Sequence, residues 1–329
     1  MRKRVHKRIT DDEDIIVSFS FQQAFDYFYS AKKSEDMRKS TLITYNEHFN
    51  FFMNWLKISS HTLTLASELS LQIVREYINY MREDHYNFKS KRNGLSSQTI
   101  NARIRFIKTW YAFLLKEKLI NDNIMDSINY LKIDEKKVNL LTEKEMQALL
   151  NTPDKRYMAQ WRDYCIMFVA YDSALRIKEL ISLDIKDIDV VRRQIILPSE
   201  NAKDRRIRVI PISSHTLKLL MKLIDENQKN FPNSEALFLN WWGERMAEDT
   251  FRRNLSRYVK KAGIEKAFTC HDFRRQSITE MLKNGASVFA VQRIAGHSQI
   301  STTKRYVHFD EEVIRDQHDL YSPINRLKL

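Results

Sequence analysis

Apolar side chains recur every three or four residues from Phe19 to about Tyr130, a spacing that gathers them on one face of a helix. Four periodic segments lie near 20–30, 41–57, 70–86 and 97–118, with a shorter one near 122–131. In the second, Tyr45, Phe49, Phe52 and Trp55 share a face and are expected in a core rather than on a stacking platform. In the fourth, Ile100, Ile104, Ile107, Tyr111 and Leu114 form the packing face. Gln98, Asn101, Arg105 and Lys108 fall on another face, open to solvent or to a polyanion. A helical domain is therefore expected over residues 19–131.

Residues 132–140 are charged and lose the periodicity, so they read as a linker to a second domain over 141–310. Thr142 and Glu145 form a capping box ahead of Met146, Leu149 and Leu150. Residues 161–183 read as one strongly apolar helix. Short β-branched runs at 193–198 and 206–212 bracket a polar tip, predicting a hairpin with Lys203 at its turn. A helix near 214–229 follows, and over 249–262 Arg252, Arg253, Arg257, Lys260 and Lys261 crowd another, a pattern that suits phosphate contacts. Residues 1–14 open basic and close acidic, so 1–18 read as a mobile tail, and 311–329 form a C-terminal tail. The fold class expected is mainly α with a small β-sheet, a helical N-terminal domain preceding a mixed α/β one.

Composition narrows the partner. With 55 Lys and Arg against 42 Asp and Glu, the net charge is +13, the footprint of a nucleic-acid binder. Hydrophobic residues at 43% exclude a disordered chain. Cys165 and Cys270 are too few for a disulfide scaffold or a cysteine zinc site. No apolar run approaches the ~20 residues that cross a bilayer, so a cytoplasmic, DNA-associated protein with no membrane partner is expected.

The candidate chemistry lies in residues 271–306. His271 and Arg274 stand one helical turn apart, His297 follows an Ala-Gly pair, and Tyr306 comes nine residues later. A guanidinium grips two phosphate oxygens, imidazoles carry protons near neutral pH, and a phenol oxygen can attack phosphorus. Upstream, Ala174-Leu175-Arg176-Ile177-Lys178-Glu179-Leu180 places a further arginine, and Lys203 precedes the strand Arg208-Val209-Ile210-Pro211. In this order and spacing the set resembles the tyrosine recombinases, the family of phage integrases, Xer resolvases and Cre. Two positions depart from the family pattern: Ala174 where glycine is common, and Ala295 where leucine often precedes Gly-His.

The resemblance implies a SAM-like helical core-binding domain and a recombinase catalytic domain that close as a C-shaped clamp on DNA. It implies Tyr306 as nucleophile, Arg176 and Arg274 on the phosphate oxygens, and Lys203 as acid to the leaving 5′ oxygen. His271 would be base or orienting partner and His297 a hydrogen-bond donor. Strands would be exchanged between paired sites by a homo-tetramer, through 3′-phosphotyrosyl and Holliday-junction intermediates. No metal, cofactor or ATP is expected. An accessory DNA-bending or directionality protein, and docking of residues 311–329 on a neighbouring protomer, are compatible with this scheme. The rival readings are a type IB-like nicking-closing topoisomerase, which needs no tetramer, and a DNA-binding regulator without catalysis.

Overall fold

The computed structural model describes residues 19–59, 61–88, 91–133, 140–202, 204–304, 306, 315, 318–322 and 324. The expectations for the 1–18 tail, for Lys203, for the middle of the linker and for most of 311–329 fall outside them. The chain divides into two compact units, Met1–Lys136 and Lys137–Leu329.

The first unit is built on helices α1 (Phe21–Ser34), α2 (Lys39–Ile58), α3 (Leu71–Asn79) and α4 (Ser97–Lys116). Helix α1 opens on a capping box: the Gln23 amide donates to Ser20 Oγ at 3.2 Å, and the Ser20 amide to Gln23 Oε1 at 3.0 Å. The Ser96 hydroxyl caps α4 in the same way, accepting from the Thr99 amide. The aromatic face expected on α2 is in the core, Phe49 stacking on Phe25 with centroids 3.9 Å apart. Trp110 of α4 is fully buried among Phe21, Phe25 and Phe49. Removing such a ring costs ~3–5 kcal/mol.

Two details differ from the periodicity. Helix α3 stops at Asn79, and after a π-turn the chain forms a small hairpin of β1 (Tyr86–Asn87) and β2 (Arg92–Asn93). The segment near 122–131 is a single 3-10 turn, Ile124–Ser127, followed by extended chain that lies on α4.

In the second unit the capping box starts α5 (Glu143–Leu150) as expected, the Thr142 amide donating to Glu145 Oε2 at 2.7 Å. The apolar stretch 161–183 is not one helix. Helix α6 (Met158–Ser173) ends where Ala174 turns left-handed at φ 52°, and α7 (Ile177–Ile181) begins after Arg176. The break is held by side chains: Ser173 Oγ receives the Leu175 amide, and Arg274 takes the Ala174 carbonyl at 2.7 Å. Hydrophobicity alone did not distinguish this turn from helix, because Ala174 and Leu175 are buried on either side of it.

Strands β3 (Ile188–Asp189), β4 (Gln194–Leu197) and β5 (Arg208–Pro211) form an antiparallel sheet in that order, with Ile195 opposite Ile210. Helices α8 (Ser214–Asn230), α9 (Glu248–Lys261), α10 (Cys270–Lys283), α11 (Val288–Ala295) and α12 (Ile300–Lys304) follow. Helix α6 is buried along its length, and its fully buried Asp163 accepts from Arg162, Asn254 and Tyr258. That carboxylate pins the basic helix α9 to the core. Cys165 and Cys270 are buried free thiols, their pKa values pushed up by burial, to about 11 at Cys270.

Candidate active site

Four local structures deliver the sequence motif to one place in the second unit. The αL turn at Ala174 puts Arg176 at the N-cap of α7. The first turn of α10 carries His271 and Arg274. Helix α11 ends in a left-handed Gly296, φ 64°, which hands the chain to His297. Helix α12 then brings in Tyr306, whose amide donates to the Thr303 carbonyl at 3.1 Å. Half-buried Tyr306 packs on a small apolar cluster of Ala174, Ile278, Val291 and Ala295. Both departures from the family pattern thus lie in the bed of that tyrosine.

The cations are arranged around one carboxylate. Arg176 Nη1 donates to Glu179 Oε1 at 2.7 Å, and Arg208 Nη2 to Oε2 at 2.6 Å. Glu179 is 2% exposed; burial opposes its ionisation, but Arg208 and Arg176 outweigh that and hold its pKa below the ordinary value. Arg274 is 2% exposed, and burial, reinforced by Arg176, lowers its pKa to about 9, so it remains cationic at neutral pH. Its Nη1 is bound to Ala174, while its buried Nη2 has no hydrogen-bond partner among the described residues.

Both imidazoles are biased to the neutral form. Burial, then Arg274, Arg176 and Arg208, bring the His297 pKa down to about 4. Burial, then Arg275 and Arg274, lower that of His271, against the opposing effect of Asp272. His297 Nδ1 lies 2.8 Å from the Thr303 hydroxyl. With that hydroxyl donating, the proton sits on Nε2, which becomes a donor to a ligand.

A cavity of about 760 Å³ opens on Arg176, His271 and Arg274 and runs along α9 past Arg252 and Ser256. A second, of about 840 Å³, opens on Arg208, Gly296 and His297. Arg252 is paired with Glu248 at 2.9 Å, Arg253 is exposed, and Arg257 donates to Asn254. Lys203 lies outside the described residues.

On α4 of the first unit Gln98 and Arg105 are exposed and Lys108 is half-buried, with Arg105 and Lys108 both over the Tyr130 ring. Asn101 is a correction. It is 5% exposed, and its amide bonds the Leu131 carbonyl and amide at 2.8 Å each, so it holds the returning chain instead of facing solvent.

Three participants were not picked out from the sequence. Glu179 was visible only as a motif letter three residues after Arg176. Arg208 falls on the inward parity of β5 with Ile210, and a charge in a core slot of a strand signals a buried ion pair. Thr303 carried no pattern at all.

A model of the phage integrase family matches residues 139–312. The tyrosine recombinase XerC of Pelotomaculum thermopropionicum is 28% identical over 273 residues, covering 81% of this chain and 85% of that protein. XerD of Staphylococcus epidermidis is 27% identical over 291 residues, covering 84% and 97%. Among solved structures, the Tn1549 transposon integrase in complex with a circular intermediate DNA superposes with a TM-score of 0.73 at 21% identity, covering 93% of this chain and 100% of that one. The XerH recombinase bound to its difH substrate superposes at 0.65 and 19% identity, covering 92% and 85%. At these identities the two structures share the fold. The family match spans more than half of the sequence and takes in every residue of the cleft, and the chain therefore belongs to the phage integrase family of tyrosine recombinases, the enzymes of site-specific DNA recombination.

Proposed function

We propose that the protein breaks and rejoins duplex DNA through a covalent bond between Tyr306 and a 3′ phosphate. The observation that carries this reading is the buried Nη2 of Arg274, without a partner among the described residues, in a cleft shared with Arg176 and His271. A buried N–H without an acceptor suits a phosphate oxygen.

Tyr306 Oη attacks phosphorus and gives up its proton, for which neutral His271 is the acceptor. Arg176 and Arg274 hold the non-bridging oxygens, where negative charge accumulates in the transition state. His297 donates from Nε2. The 5′ oxygen leaves with a proton from Lys203. The phosphotyrosyl ester keeps the phosphodiester's energy, so a second 5′ hydroxyl reverses the step without ATP, and the guanidiniums supply the charge that metal ions bring in other phosphoryl-transfer sites. Exchange between two sites then proceeds through a Holliday junction on a tetramer. Gln98, Arg105 and Lys108 of α4, and Arg252, Arg253 and Arg257 of α9, contact the DNA backbone.

The test uses the full chain with nicked suicide duplexes drawn from the DNA flanking its own gene, in EDTA and without ATP. A covalent protein–DNA band is expected with the wild type and absent with Tyr306→Phe. Tight binding with no band, with EDTA or with magnesium, would point to a DNA-binding regulator instead. Relaxation of supercoils by monomer at low concentration would point to a topoisomerase.

A further inference from the structure

Arg208 occupies a position that the sequence would give to a hydrophobic residue. Along β5 burial alternates, with Arg208 and Ile210 inward, Val209 and Pro211 outward. Arg208 is 6% exposed, and across the ladder it faces fully buried Leu197. Among the described residues Nη2 is its one hydrogen-bonded group; Nε and Nη1 are buried without partners there. Desolvating a guanidinium this far is unfavourable for folding, so its placement points to the site it borders.

Its two neighbours there are both parts of the cleft. The first is Glu179: Arg176 Nη1 donates to its Oε1, and Arg208 Nη2 joins the Arg176 backbone amide on Oε2. A buried carboxylate with both oxygens free would take an adjacent arginine bidentately, the strongest geometry available to the pair. By donating to Oε2, Arg208 competes with a bidentate grip of Glu179 on Arg176, whose guanidinium reaches that carboxylate through Nη1. The second neighbour is Gly296. A Cβ built there would fall 2.1 Å from Arg208 Nη1, so the guanidinium packs directly against the turn that presents His297. The Gly296 carbonyl in turn receives Arg176 Nη2 at 3.4 Å.

We infer that Arg208 is a positioning residue of the phosphate clamp, acting through Glu179 on Arg176 and through Gly296 on His297. The inference rests on the cleavage chemistry proposed above and adds a residue to it. Arg208 leaves the tip of the predicted Lys203 hairpin on β5, so the same strand anchors the clamp and follows the hairpin turn.

The experiment measures single-turnover cleavage of the suicide duplex beside duplex affinity, for the full chain. Arg208→Met should slow cleavage about a hundredfold, the scale on which misplaced catalytic groups act, while affinity changes by no more than about threefold. Arg208→Lys, which can still reach Oε2, should recover about tenfold of that loss. The discriminating variant is Arg208→Met with Glu179→Gln. A neutral amide cannot over-clamp Arg176, so the double variant should cleave faster than Arg208→Met alone; a plain packing role makes it slower. Wild-type cleavage by Arg208→Met, or a double variant slower than the single, overturns the inference while the recombinase reading stands. If the wild type itself forms no adduct, the cleavage reading fails, and NMR titration of the His297 imidazole decides the positioning claim. Its titration should move to higher pH in Arg208→Met, and an unchanged curve overturns the claim.

Discussion

The Gly296→Ala substitution tests the packing of the cleft with an internal control. Gly263 and Gly296 are both left-handed, at φ 70° and 64°, but among the described residues nothing lies within 4 Å of a Cβ at Gly263. Alanine in this region costs ~1–2 kcal/mol, offset by ~0.4–1 kcal/mol from stiffening the unfolded chain. Gly263→Ala should therefore destabilise by about 1 kcal/mol. At Gly296 the same backbone penalty applies, and the new methyl falls 2.1 Å from Arg208 Nη1, 2.9 Å from Cζ and 3.1 Å from Cδ. An exposed arginine would swing aside, but Arg208 is 6% exposed and held at 2.6 Å by Glu179. Moving it unpairs a buried charge, worth ~3–5 kcal/mol, part of which relaxation recovers. Gly296→Ala should thus lose about 3–4 kcal/mol in all. Urea unfolding of the full chain, followed by circular dichroism, reads both variants on the second unit's transition. Losses equal within about 0.5 kcal/mol would show that the collision term is absent and refute the packing argument.

Thr303→Val keeps the shape of a buried side chain but removes the hydroxyl 2.8 Å from His297 Nδ1; if that hydroxyl donates and leaves the proton on Nε2, single-turnover cleavage should fall about tenfold, and a wild-type rate would count against that tautomer. His297, like His48 in the first unit, has a folded pKa near 4 against an ordinary 6.5, so the unfolded chain binds more protons between those values. Stability should therefore be full above pH 6.5 and be lost progressively as pH falls toward 4; melting curves across that window should show a smaller loss for His297→Gln than for the wild type. Asn101→Ala should destabilise by ~1–3 kcal/mol through the orphaned Leu131 groups and leave duplex affinity per folded molecule unchanged, whereas Arg105→Ala should weaken binding and lower its salt dependence.

How far the sequence could be read depended on whether one residue's chemistry or a meeting of distant segments was at stake. The helical first unit was legible because its aromatic positions keep a strict helical period, as Phe49 and Phe52 show. That Arg176, His271, Arg274, His297 and Tyr306 lie together was legible because their order and spacing are specific together. The αL break at Ala174 was not, since alanine favours helix and one of the contacts that hold the turn, Arg274 on the Ala174 carbonyl, comes from 100 residues away. Asn101 misled for a similar reason: its helical phase is that of the exposed face, and the chain that covers it arrives 30 residues later. Thr303 makes its contact across elements with no local pattern to mark it, whereas Glu179 was a motif letter and Arg208 a charge at an inward strand position whose partner could not be read locally.

The central claim is that Tyr306 itself becomes bonded to a 3′ phosphate. Trypsin cleaving after Arg305 and Arg315 would release Tyr306 at the head of a ten-residue peptide. Mass spectrometry of the trapped adduct, digested with trypsin and nuclease, should find the nucleotide on that peptide's phenol oxygen, with a free 5′ hydroxyl on the released strand. A nucleotide on any other residue, or a 5′-linked one, would contradict the account.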